Sequence, residues 1–97
     1  MLIILELQPA DINTALLLSS WFRCCENVHI LLDSYGAEPN CLDIKGRTPL
    51  HFACCIGDAQ IAKILLDKGA DPNRWDKENK ATPLHCAARY FTIIIIN

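Results

Sequence analysis

Histidine and cysteine are the residues with reactive chemistry to offer. His51 stands three positions before Cys54, Cys55 follows directly, and His85 adjoins Cys86. Residues three apart on a helix share a face, so His51 and Cys54, with Cys55 and Cys86 near them, form a conceivable set of zinc ligands. A thiol beside an imidazole is also the core of a cysteine nucleophile, once a carboxylate orients the ring. Neither chemistry gathers its other parts. The chain has no Cys-x-x-Cys pair, no glycine-rich phosphate loop and no acidic pair in a helical frame. A buried free cysteine behaves as a small apolar group. The sequence therefore predicts no catalytic residue, no metal and no cofactor, and the protein is not expected to be an enzyme.

The two histidines sit in a repeated frame. Thr48-Pro49-Leu50-His51 returns 34 residues later as Thr82-Pro83-Leu84-His85. Threonine caps a helix through its hydroxyl, and proline suits the first helical position because its missing N–H has no partner there. Each tetrapeptide thus predicts a helix start. A second anchor, Gly36-Ala37-Glu38-Pro39-Asn40, returns 33 residues later as Gly69-Ala70-Asp71-Pro72-Asn73. Two anchors at nearly one period mark an internal repeat.

Composition bounds the partners. The 97 residues make one domain at most, and 52% of them are apolar, which is material for a core. A net charge of −2 with no run of Lys and Arg excludes the electrostatic footprint of a nucleic-acid binder. Met1-Leu2-Ile3-Ile4-Leu5 is too short for a signal peptide, and no run of 18 apolar residues predicts a membrane span. The expectation is an intracellular protein, cytoplasmic or nuclear, with its six cysteines as free thiols.

Residues 1–13 read either as the remnant of an earlier repeat, since Pro9 to Asn13 echo the second anchor, or as an apolar N-terminal arm. Residues 14–40 form a degenerate unit in which Ala15 replaces the proline, Leu17 the histidine and Arg23 the glycine. Residues 41–73 form the complete unit. Thr48 caps a first helix stopped by Gly57, and a second helix ends at Gly69, with Ala59, Ala62 and Leu66 on one stripe and Ile61, Ile64 and Leu65 on the next. Residues 74–97 begin the unit again without finishing it. Phe91 stands at the place of the terminating glycine, and the β-branched run Thr92 to Ile96 favours extended backbone.

Gly46-x-Thr48-Pro49-Leu50-His51-x-Ala53, then Ile64-Leu65-Leu66 and Gly69-Ala70-Asp71-x-Asn73, resemble an ankyrin repeat. The resemblance implies an all-α fold: a solenoid of antiparallel helix pairs joined by β-turn hairpins, with two to three repeats and the last incomplete. It implies that His51 and His85 are structural, tying helix starts to neighbouring turns, and that Cys54 fills a small-residue packing position. Asp43 and Asp76 are expected to hold the hairpins by accepting backbone N–H bonds.

Function is then expected on hairpin tips and the concave first-helix face, as a protein-interaction module or scaffold. Carried over position by position, that strip holds Leu42, Ile44, Lys45, Arg47, Cys55 and Ile56 from the complete unit, and Trp75, Lys77, Glu78, Arg89 and Tyr90 from the next. The partner is another protein, not nucleic acid or membrane, and self-association through the uncapped C-terminal end is a further expectation. Leu65 to Asn73 also resembles the stretch recognised by an asparaginyl hydroxylase, with Asn73 and, less well, Asn40 as acceptors. Since about three stacked repeats are usually needed, low or concentration-dependent stability is expected, as for a truncated product with little independent activity.

Overall fold

The computed structural model describes the backbone of residues 9–96 and the side chains of residues 11–90. Five helices succeed one another: α1 (Pro9–Trp21), α2 (Cys25–Ser34), α3 (Pro49–Ile56), α4 (Ala59–Asp67) and α5 (Pro83–Ile96). No strand occurs among the described residues. α1 packs on α2 and α3 on α4. Across the pairs α1 meets α3, α2 meets α4 and α3 meets α5. The result is a stack 46 Å long and 24 by 22 Å in section, the all-α solenoid that the repeat implies.

Local chemistry starts and stops these helices. Thr48 has extended backbone and its hydroxyl accepts the His51 N–H at 3.2 Å, with Pro49 opening α3. Asp58 caps α4 by accepting the Ile61 N–H at 3.0 Å. Gly57 (φ 73°) gives α3 its left-handed end, and Arg23 (φ 63°) takes the matching place after α1. A Cβ at residue 57 would run into the Tyr90 ring, so glycine is required there for space as well as for conformation.

Between the pairs, Leu16, Val28, Leu50, Ala53, Ile61 and Leu65 form a core in which each is at most 2% exposed. Asparagines stitch the turns. Asn13 Oδ1 accepts the Glu38 N–H at 2.9 Å, and Asn40 Oδ1 accepts the Asp71 N–H at 2.7 Å while its amide donates to the Gly69 carbonyl at 3.0 Å.

Three sequence expectations are corrected. Pro9 opens α1, so Thr14, at the repeat position of the capping Thr48, lies inside that helix instead of at its start. Residues 1–8, the rest of the expected arm or remnant, lie outside the described residues. The isoleucine run is helical, not extended, because α5 passes through Phe91 to Ile96. Isoleucine costs only about half a kcal/mol relative to alanine in a helix, and without a glycine at 91 nothing local stops propagation. Finally, only one of the two apolar stripes of α4 is buried. Ile61, Ile64 and Leu65 face the core, whereas Ala59 and Leu66 are exposed.

Candidate partner-binding surface

Two hairpins, residues 41–48 and 74–82, present the surface, and a carboxylate organises each. Asp43 accepts the N–H groups of Lys45 (2.9 Å) and Arg47 (2.8 Å) and the Arg47 guanidinium (2.8 Å). Burial alone would raise its pKa, but these bonds prevail and hold it below the usual carboxylate value. Asp76, 5% exposed, accepts from the N–H groups of Asn79 (2.8 Å) and Ala81 (3.3 Å), and it too is lowered against the pull of burial. Both acids hold hairpins, as expected.

His51 then joins hairpin to helix. The Thr48 backbone N–H, which can only donate, reaches His51 Nδ1 at 3.0 Å, so the ring proton sits on Nε2, which donates to the Ala81 carbonyl at 2.8 Å. The ring is 1% exposed and bridges the start of α3 to the second hairpin. His85 repeats the first half of this arrangement, accepting the Thr82 N–H at 3.1 Å, but is exposed.

No reactive centre is assembled from these parts. Among the described residues no three of His, Cys, Asp and Glu gather as metal ligands. Burial pushes the Cys41 thiol up to about 11, and burial with the neighbouring Cys55 thiol pushes Cys86 up to about 12. Burial raises Cys54 as well. Thiols held protonated are poor nucleophiles and poor ligands.

The hairpins lock together side by side. Lys77 N–H donates to the Lys45 carbonyl at 2.9 Å, and the Lys45 ammonium faces Glu78 at 3.7 Å. Gly46 is buried at this crossing, where a Cβ would meet Lys77 Cγ at 3.0 Å.

The expected strip falls into two levels. At the hairpins, Ile44 (91% exposed), Trp75 (58%) and Leu42 (46%) are open to solvent beside Lys45, Lys77 and Glu78. Arg47 is half-buried, tied to Asp43 and lying 5.0 Å from the Phe52 ring centre. It supports the surface more than it offers a free charge. At the end of α3 and the middle of α5 stand Cys55 and Arg89, exposed, and Ile56 and Tyr90, half-buried. Tyr90 has a second role within the chain. Its ring lies over Gly57, which commits much of it to packing within the chain.

Sequence reasoning missed the contribution of α1. A groove of ≈ 530 Å³ runs between α1 and the first hairpin, lined by Leu17, Leu18, Leu42, Ile44, Arg47 and Phe52, with Thr14 and Asp43. Leu18 is 52% exposed, and Trp21 (45%) and Phe22 (66%) stand open to solvent at the end of the same helix. Trp21 meets the Phe52 ring edge-on, with centroids 5.4 Å apart. The signal for these residues was an apolar stripe on α1 wider than one covered face requires.

Known proteins share this pattern. The family described as Ankyrin repeats (3 copies) matches residues 16–95. The chain is 60% identical over 79 residues to the transient receptor potential channel pyrexia of Drosophila melanogaster, covering 81% of this chain and 8% of the channel. It is 45% identical over 58 residues to human ankyrin repeat and SOCS box protein 16, covering 60% of this chain and 13% of that protein. It is 44% identical over 64 residues to mouse cyclin-dependent kinase 4 inhibitor B, covering 66% of this chain and 48% of the inhibitor. The chain thus spans less than half the length of each of these relatives.

Proposed function

The chain belongs to the ankyrin-repeat family, and from that premise we propose that it is an intracellular protein-interaction module whose partner seats on the two hairpin tips and the groove against α1. The observation that carries this reading is the row of exposed apolar side chains, Ile44, Leu42 and Trp75, held on hairpins that Asp43, Asp76 and His51 make rigid, with Leu18 of α1 across the groove. A stack only three helix layers deep has little free apolar surface to spare, and patches of this kind mark binding sites. Large side chains on a preorganised backbone lose little entropy on binding, and buried aromatic anchors are worth about 2 kcal/mol or more.

A partner captured in cells through a photo-crosslinking residue at position 44 or 75, and not through one at Lys63 on the opposite side of α4, supports this assignment. Capture from position 63 alone would sink it. No step of catalysis is assigned to any residue, and the raised thiols of Cys41, Cys54 and Cys86 support that reading.

A second reading, modification of Asn73 by an asparaginyl hydroxylase, gains one point of support. Asn40, its counterpart, has both amide atoms bonded to the next turn, whereas Asn73 is exposed. Purified chain treated with such an enzyme in oxygenated buffer is expected to gain about 16 Da on Asn73 and not on Asn40. Equal or no modification removes the idea.

A further inference from the structure

Two cysteines meet where α3 lies on α5. Cys55, on α3, is exposed, Cys86, on α5, is 7% exposed, and both are free thiols. The Cys86 thiol is hydrogen-bonded to Cys55, and Cys54 stands close enough for its charge to be felt there.

The repeat makes this contact a property of the stack. An offset of 34 residues carries Trp21 to Cys55 and Phe52 to Cys86, and α3 lies on α5 as α1 lies on α3. In the first layer the Trp21 and Phe52 rings meet edge-on with centroids 5.4 Å apart. The same two positions, on neighbouring first helices, thus face each other in both layers. Aromatic rings fill the space between them in one layer and thiols in the next.

The two thiols are unequal. Burial first, and then the bond to Cys55, push the Cys86 thiol up to about 12. A thiol held protonated and out of solvent reacts slowly with reagents from solution, so it needs an electrophile placed beside it. Cys55 stands open to solvent and meets such reagents first.

We propose that Cys55 and Cys86 form a hydroperoxide-oxidisable pair, in which Cys55 takes the oxidant and Cys86 resolves it as a disulfide joining α3 to α5. The Cys55 thiolate attacks one oxygen of hydrogen peroxide and breaks the O–O bond. The hydroxide released takes up the proton that Cys55 gave away, and Cys55 becomes a sulfenic acid. The Cys86 sulfur then attacks the Cys55 sulfur and breaks its S–O bond, and the Cys86 proton leaves with that oxygen as water. Two thiols have lost two electrons, and one peroxide has become two waters. The bond closes the chain between residues 55 and 86 into a loop, which restricts the unfolded state. This chemistry is independent of the partner surface at the hairpins.

Peptide mapping of the full chain tests it. Reduced chain is treated with a small excess of hydrogen peroxide, denatured in alkylating reagent and cut with trypsin. Trypsin releases residues 48–63, which hold Cys54 and Cys55, and residues 81–89, which hold Cys86. The expected product is these two peptides joined, about 2 Da lighter than their sum and separated by dithiothreitol, from a chain that runs as a single copy on a non-reducing gel. The oxidised chain is expected to have a higher urea midpoint than the reduced one. Cys55→Ser, at an exposed position, abolishes the joined product with unchanged helical circular dichroism, whereas Cys54→Ala keeps it. Recovery of both cysteines alkylated, Cys55 as sulfinic acid with Cys86 alkylated, a joined product confined to covalent dimers, or one that persists in Cys55→Ser or disappears in Cys54→Ala would each overturn the proposal.

Discussion

His51 and His85 have the same neighbours in sequence and unequal surroundings in space. His51 makes its capping bonds to Thr48 out of solvent and also reaches across to the half-buried Ala81. Replacing it leaves the buried Thr48 N–H without its acceptor and the Ala81 carbonyl with the Asp76 N–H as its remaining donor, so His51→Ala is expected to cost about 2 kcal/mol. His85→Ala is expected to cost about 1 kcal/mol or less, since only an exposed cap is lost. Urea denaturation of both variants measures the difference, and equal losses would contradict the bridging role. The aspartates add a pH dependence. Asp43 and Asp76 have folded-state pKa values below the ordinary 3.8. Their contribution is therefore complete above that value and is lost as pH falls through the lowered ones. The urea midpoint is expected to hold steady from about pH 7 to 5 and to fall below about pH 4, less steeply in Asp43→Asn. These residue roles were legible in the sequence because they are local: Asp43 bonds within its own turn, and His51 sits three residues from its cap. The reach of His51 to Ala81 was legible only through the family.

At the scale of helices, what the sequence showed was stops more than starts. Gly57 and Gly69 mark reversals because the left-handed backbone they take is open to few other residues. Arg23 was identified at the same position by offset alone, and it adopts the strained conformation without glycine's freedom. A left-handed non-glycine residue costs about 1 kcal/mol, and its exposed contact with Asp58 at 3.6 Å returns only a few tenths of that, so Arg23→Gly is expected to stabilise the chain by about 0.5–1 kcal/mol. A drop in thermal midpoint would mean that the Asp58 contact matters more than the backbone. The start of α1 was misplaced because the repeat offset pointed to Thr14, while Pro9, a good first-turn residue, carried the local signal. The course of α5 was misread because β-branched preference is a small bias, outweighed by continuing a helix already capped at Thr82.

For the whole molecule, periodicity identified apolar stripes but not which of them a neighbour covers. Val28 and Ala62 occupy the same repeat position and differ in whether a further helix pair stacks against them. For the same reason periodicity did not mark Leu18, Trp21 and Phe22 as surface residues, and Leu18 enlarges the expected hairpin strip into a groove. Tyr90 moved the other way, since its packing over Gly57 appears only when α3 and α5 are side by side. It is therefore a poor probe of binding, because its removal disturbs the stack. Ile44 is the better one, being 91% exposed and clear of the core. The central claim is that this hairpin and groove surface holds a protein partner. Isothermal titration of the crosslink-identified partner against the parent chain, Ile44→Asp and Lys63→Ala is its most direct test. The account predicts affinity at least about tenfold weaker for Ile44→Asp and unchanged for Lys63→Ala, with equal helicity in all three. Equal affinity of Ile44→Asp and the parent would contradict it.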